Sequence, residues 1–276
     1  MRRRLDAELV RRGLAASRGE ARDLVLAGRV TVSGAPAEKP TRQVAGHEDV
    51  AVAAADPRWA SRGGAKLEGA LVAFAGVNPA GRTCLDAGAS TGGFTDVLLA
   101  RDAAAVWAVD VGYGQLAWRL RRHERVWVRD RCNVRHLTAA DVPDDLPGPL
   151  TLVVADLSFI SLRLVLPALS AVAAPDADYV LLVKPQFEVG RGEVGRGGVV
   201  RSPEAWRRAL LGVADAAAEH GLAPQGACPS SEPGPAGNVE FFWWLRAGCG
   251  LDPEAVADAA VAAVPEVAGV GCNGMP

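Results

Sequence analysis

The chain reads as an α/β protein, a doubly wound parallel sheet preceded by a small α+β domain, and three observations lead there. From Ala65 onward, short apolar runs alternate with helical stretches, the pattern of a parallel sheet covered on both faces. Leu85 to Phe94 carries an apolar strand end into a glycine-rich turn and then a helix, and open sheets of this kind bind ligands where their strands end. Residues 56–64 hold Pro57, Ser61, Gly63 and Gly64, a composition typical of a domain boundary. The expected division is a head over 1–57, a linker over 58–65, a Rossmann-like domain over 66–247 and a flexible tail over 248–276.

In the head, Leu5, Leu9, Val10 and Leu14 recur at helical spacing, and Ser17 with Glu20 resembles a capping box opening a second helix to Leu26. Val30–Val32 and Asp49–Val52 suit short strands joined by turns. Residues 1–66 hold 13 Lys/Arg against 8 Asp/Glu, whereas the remainder holds 17 against 24. A basic head on an acidic body points to a polyanionic partner bound in a salt-dependent way, with a merely solvated basic face as the plainer alternative. Arg4, Arg18, Arg22 and Arg29 are the candidate contacts.

In the larger domain, strands are expected at Thr83–Asp86, Ala104–Asp110, Val126–Val128, Leu150–Ala155, Tyr179–Val183 and Glu240–Leu245. Helices are expected near 66–76, 93–101, 114–122, 160–173 and 203–220. The tail suits a short helix followed by a loose end. Glycine-rich 188–198 is either a flap over substrate or an ordinary loop. The arginines from Arg119 to Arg135 either extend a polyanion track or cover a solvated face.

The 276-residue chain has no apolar run of about 18 residues, and its N-terminal arginines precede no hydrophobic segment, so it is expected to be soluble and cytoplasmic, with no membrane partner. Its 5 cysteines and 4 histidines show no ligand spacing, so no metal is expected.

The turn is spaced G-x-x-x-G-G, not the G-x-G-x-x-G of dinucleotide sites. With Asp86 at the strand end to face an ammonium group, and Asp110 closing the next strand to grip a ribose, the spacing favours S-adenosylmethionine. Gly88, Ser90, Gly92, Gly93 and Phe94 would shape that site. A structural turn without a ligand is the other reading.

Only Lys39, Lys66 and Lys184 are lysine among 30 basic residues, so each marks a place where arginine does not serve. Asp156 and Lys184 end successive strands beside the glycine turn, Glu240 opens a later one, and Lys66 opens the helix leading into the first. Such a set suits methyl transfer to a hydroxyl, which needs orientation and charge cancellation more than acid–base strength. Lys184 could act charged, stabilising an incipient alkoxide, or neutral as a base; two neighbouring carboxylates favour the first and burial the second. Transfer to a base amine fits less well, since the strand end reads Asp156-Leu157-Ser158-Phe159 without prolines. A carbon-5 mechanism lacks its Pro-Cys nucleophile.

Lys66, Asp156, Lys184 and Glu240 resemble the K-D-K-E tetrad of FtsJ-type RNA 2′-O-methyltransferases. Arg4-Leu5-Asp6, Ser17-Arg18-Gly19-Glu20-Ala21 and Gly28-Arg29-Val30 are similar to the S4 RNA-binding domain. Together with Ala155–Leu162, Lys184–Gly190 and Gly237–Phe242, they resemble the TlyA family, historically labelled hemolysins. The resemblance implies an S-adenosylmethionine-dependent 2′-O-methylation of cytidine in ribosomal RNA on one or both subunits, with Asp110 on the cofactor ribose and Asp130 near its adenine. Arg58 and Trp59 are adjacent here, where the family usually has one intervening residue. A noncatalytic ribosome-assembly factor and a membrane-active protein are the rival readings.

Overall fold

The computed structural model describes residues 2–15, 17–26, 28–52, 58–234 and 236–265. In the head, β1 (Arg2–Arg4), α1 (Leu5–Arg11), α2 (Arg18–Leu26), β2 (Val30–Val32), β3 (Ala35–Pro36), β4 (Gln43–Ala45) and β5 (Val50–Val52) follow one another. Strand β1 pairs antiparallel with β4, and β2 lies between β3 and β5. Leu5, Leu9, Val30 and Val32 are completely buried at the centre of this small core. Ser17 accepts from the Glu20 amide at 3.1 Å, the cap expected for α2. The stretch of three arginines is a strand and not a helix start, because pairing with β4 satisfies its backbone while the charged side chains stay in solvent.

The larger domain runs α3 (Arg62–Ala73), β6 (Thr83–Ala87), α4 (Gly93–Ala100), β7 (Ala105–Val109), α5 (Trp118–Arg121), β8 (Val126–Arg129), β9 (Leu150–Ala155), α6 (Leu166–Val172), β10 (Asp178–Val183), α7 (Pro185–Glu188), α8 (Pro203–Ala218), β11 (Leu222–Pro229), β12 (Phe241–Ala247) and α9 (Pro253–Ala262). Its seven strands are ordered β11-β12-β10-β9-β6-β7-β8. The five from β10 to β8 are parallel, as the apolar alternation predicts. The sheet is nevertheless mixed, since β12 runs antiparallel to β10, and β11 antiparallel to β12.

Strand β11 is the element the sequence hides. Pro224, Gly226 and Pro229 lower its strand propensity, and the register slips between Pro224 and Gly226. An edge strand tolerates this because one side of its backbone needs no ladder partner. The hairpin from β11 to β12 turns at the edge where β9 and β10 end, so the start of β12 faces those strand tips: Phe241 pairs with Val183.

Two apolar layers cover the sheet. Phe241 and Trp243 pack with α6 and α8 on one face, while Phe242 packs with α3 and α4 on the other. Helix α3 begins within the expected linker, where Ser61 accepts from the Gly63 amide at 3.2 Å. The helix expected over 114–122 is confined to α5, and that over 160–173 is a short turn at Leu162–Leu164 followed by α6. Helix α9 is held by Arg207, which reaches Glu254 at 3.0 Å and Asp258 at 2.5 Å. The tail expected to be flexible over 248–276 is thus helical over Pro253–Ala262, and its residues from 266 on, like residues 53–57 ahead of the linker, lie outside the described residues.

Candidate active site

The site is assembled at the tips of β6, β7, β9, β10 and β12. At the end of β6 the chain turns at Gly88, whose φ is +89°, and a Cβ there would lie 2.5 Å from the Asp156 carbonyl oxygen. Only glycine lets the β6 and β9 tips approach so closely. Gly92, with φ of +99°, precedes α4 at a position where a Cβ would overlap Leu120. Gly93 opens α4, and Phe94 packs its ring 6.1 Å from Phe242 while walling the pocket.

Beneath this turn Asp86 is fully buried, and its Oδ2 accepts from the Thr95 hydroxyl at 2.6 Å. Burial pushes its pKa up to about 7, against the Thr95 hydrogen bond and with help from the charges of Asp156 and Asp110. Its Oδ1 is buried without a hydrogen-bond partner. Asp110 accepts from the Ser90 amide at 2.8 Å and the Gly112 amide at 2.6 Å, which ties the β6 turn to the loop after β7. Asp130 does not reach the cavity: it accepts from the Gly114 amide at 3.1 Å and pairs with Arg121, bracing the same loop from behind.

A cavity of about 590 Å³ opens between Gly88, Ser90, Asp110, Cys132, Leu157 and Val165. Its size suits a nucleoside-containing ligand. The glycine approach at Gly88, the orphaned oxygen of Asp86 and the acids Asp110 and Asp156 together fit a ligand with a cationic methionine part and a ribose, as S-adenosylmethionine has. An adjoining pocket brings Lys66, Asp156 and Lys184 together with Leu26 and Gly28 of the head. A third, of about 460 Å³, spans Phe159, Lys184, Phe187 and Glu240 and is roofed by Val25, Leu26 and Gly28. The end of α2 thus covers the acceptor side, with the Arg62 guanidinium pressed against Gly28.

The four charged residues expected from sequence meet here as two ion pairs. Lys66 Nζ lies 2.6 Å from Glu240 Oε2, and Lys184 Nζ lies 2.5 Å from Asp156 Oδ1. Lys66, Lys184 and Glu240 are buried, while the Asp156 side chain keeps 23% exposure. Burial works against a charged Lys184, yet Asp156 and Glu240 outweigh it and hold the ammonium above its ordinary value. Burial likewise opposes ionisation of Asp156, and Lys184 and Lys66 override it to keep the carboxyl below the usual range. Lys184 therefore stands as an ammonium.

Several neighbours carry no sequence signal of their own. Ser158 accepts from Lys184 Nζ at 3.0 Å, fixing the ammonium from a second side. Phe159 is 87% exposed with φ of +65°, its ring 5.3 Å from that of Phe187. Buried Glu188 accepts from the Ser161 hydroxyl at 2.5 Å and the Leu162 amide at 2.7 Å, locking the loop after β9 to α7. Asn238 bonds the Val200 amide and the Gly198 carbonyl, each at 2.9 Å, and so anchors the glycine-rich loop just ahead of Glu240. The strings containing these residues stand out in the sequence, but a hydrogen bond across 26 or 38 positions leaves no local pattern.

The head arginines lie apart from this pocket. Arg4 and Arg18 both reach Asp6 at 2.9 Å, and Arg4 above all brings the Asp6 carboxyl down to about 2. Arg22 is exposed on α2, and Arg29 is half-buried before β2. Among the described residues no helix is long and apolar enough to cross a membrane, and no cluster of potential metal ligands forms.

This fold and this site define a methyltransferase with an RNA-binding head, and the matching families agree: FtsJ-like methyltransferase over residues 59–247 and S4 domain over residues 3–50. Within that class the chain belongs to the TlyA family. It is 57% identical to the 16S/23S rRNA (cytidine-2′-O)-methyltransferase TlyA of Mycobacterium tuberculosis, over 89% of this chain and 90% of that one. It is 34% identical to Hemolysin A of Brachyspira hyodysenteriae, over 87% of this chain and 98% of that protein. A solved structure from Streptococcus thermophilus with a provisional hemolysin name superposes with a TM-score of 0.73 at 35% identity, covering 95% of this chain and 94% of the other.

Proposed function

We propose that the protein methylates the ribose 2′-hydroxyl of a cytidine in ribosomal RNA, using S-adenosylmethionine. The observation that carries this reading is Lys184, an ammonium held between Asp156 and Ser158, which both line the nucleoside-sized cavity, while Lys184 itself lines the two pockets beside it. S-adenosylmethionine supplies an electrophilic methyl group on a cationic sulfur. Asp110 lines the cavity and is placed to hold the cofactor ribose, and the cationic methionine part would draw Asp86, beneath the turn, toward its charged form. Asp130 supports the adenine side indirectly, by bracing the loop that carries Asp110.

Lys184 orients the acceptor oxygen and stabilises negative charge that develops on it. Its charge excludes it as the proton acceptor. A hydroxyl that gains a methyl group, with the donor's carbon–sulfur bond breaking, would become strongly acidic, so the weak base Asp156, still open to water, would suffice to take its proton and release it to solvent. Glu240 fixes Lys66 beside this centre, and together they keep the buried charges balanced. The S4 head, through Arg4, Arg18, Arg22 and Arg29, docks the RNA, while the end of α2 closes over the acceptor pocket.

The test is transfer of isotopically labelled methyl groups to ribosomal subunits taken from cells lacking the gene. Label in ribosomal RNA is the expected result. Binding of RNA without transfer would leave the noncatalytic assembly-factor reading, and dye release from liposomes would restore the membrane-active one.

A further inference from the structure

The arginines that follow β7 fall into two groups. Arg119 pairs with Asp96, Arg121 with Asp130 and Arg129 with Asp141, while Arg125 donates to the Ala103 carbonyl. Arg122, Arg131 and Arg135 are exposed and have no carboxylate in salt-bridge range among the described residues. Two of these three are stacked on exposed aromatic rings. The Arg131 guanidinium lies 4.3 Å from the Tyr113 ring centre and that of Arg122 lies 5.4 Å from the Trp118 ring centre. Tyr113 and Trp118 each remain 69% exposed, whereas nearby Val111 lines the nucleoside-sized cavity.

Two aromatic rings this open, within six residues of each other and each carrying an arginine, need a partner to be explained. Their presentation is built into the fold. Arg131 adopts a φ of +56°, uncommon for a side-chain-bearing residue, and its amide donates to the Gly112 carbonyl at 2.8 Å. Asp110 and Asp130 fix the loop from below. Tyr113 follows β7 and Arg131 follows β8, at the same sheet edge as Asp156, and Trp118 with Arg122 bounds α5 on the crossover between those two strands. Strand β8 is three strands from β9, about 14 Å at ordinary strand spacing, a reach of a few nucleotides.

We infer that Tyr113 and Trp118, with Arg131 and Arg122, form a second RNA-binding surface that stacks on unpaired bases of the substrate RNA close to the modified nucleotide. Ring faces and guanidinium planes stack on bases of any sequence, and charge left unneutralised by the protein matches phosphate. Acidic protein surfaces attract the same arginines, but the paired ring-and-guanidinium units so near the reaction centre favour RNA. The inference rests on the proposed function, since it takes the substrate to be ribosomal RNA.

The test measures binding of naked ribosomal RNA to the full-length protein with S-adenosylhomocysteine bound, so that no turnover intervenes. Tyr113→Ala/Trp118→Ala should weaken binding tenfold or more with an unchanged salt slope, raising KM while kcat at saturating RNA is kept. Arg122→Gln/Arg131→Gln should lower the salt slope by about two. Tyr113→Phe/Trp118→Phe should bind nearly as wild type, which separates stacking from folding, and S-adenosylhomocysteine affinity should be equal in all variants. Affinity for RNA within twofold of wild type in the alanine variant overturns the proposal. So does a loss seen with intact subunits but not with naked RNA, which would assign the patch to a ribosomal protein. Absence of methylation by the wild-type protein would instead overturn the proposed function and leave the binding result standing.

Discussion

Lys66 and Glu240 are 174 positions apart and meet at 2.6 Å, both buried. The pair joins α3 to the residue that opens antiparallel β12, so the reaction centre and the packing of that helix against the strand's start share one contact. A buried charge left alone is costly, commonly about 3–5 kcal/mol. Glu240→Ala should therefore destabilise the protein by that order in urea unfolding, while Lys66→Met/Glu240→Leu should recover most of the loss and remain inactive. Equal stability of single and double variants would show that the pair is not coupled.

The ionisation of Lys184 predicts the pH profile. Its pKa is raised above the ordinary 10.5, so the ammonium persists through neutral and mildly alkaline pH. Turnover at saturating substrates should be level from about pH 7 to 9.5 and decline only beyond, as the proton is lost. A neutral lysine acting as base would produce the opposite, a tenfold rise per pH unit over that range.

Asp86 gives a stability signature. Its folded pKa is about 7 against an ordinary 3.8, so between these values the folded state holds a proton that the unfolded chain has released. Stability then falls as pH rises through that window and levels off above it, by on the order of a few kcal/mol. Asp86→Asn should remove this decline, and the difference between the two thermal-unfolding curves from pH 4 to 8 measures it. Parallel curves would mean that Asp86 ionises normally.

Gly88→Ala should damage both fold and site. Its Cβ would meet a backbone carbonyl at a positive φ, where neither neighbour can give way cheaply. A loss of about 2–4 kcal/mol with weakened S-adenosylmethionine binding is expected, read by unfolding and by calorimetric titration. Unchanged cofactor affinity would separate the turn from the ligand.

Much of this was legible in the sequence because charged residues end apolar runs. Asp156 after Leu150–Ala155 and Lys184 after Asp178–Val183 announce themselves, since a charge closing a buried strand must sit at the sheet edge. The glycine turn was equally plain, although the reason for Gly88 proves to be the β9 backbone as much as any ligand. Strand β11 was hidden by its prolines, and with it the antiparallel turn that delivers Glu240. Asp130, which only the family resemblance put near the adenine, follows edge strand β8 and braces the loop after β7. Ser158, Glu188 and Asn238 act through contacts between distant segments, which no local spacing records.

The chemistry itself is tested most directly by digesting ribosomal RNA to nucleosides after reaction with labelled S-adenosylmethionine, using wild type and Lys184→Ala side by side. The label should appear in 2′-O-methylcytidine with wild type and fall by about 10²–10³ with the variant, which should stay folded and bind cofactor normally. Label in a base-methylated nucleoside, or an undiminished yield from Lys184→Ala, would contradict a lysine-polarised ribose hydroxyl as the acceptor.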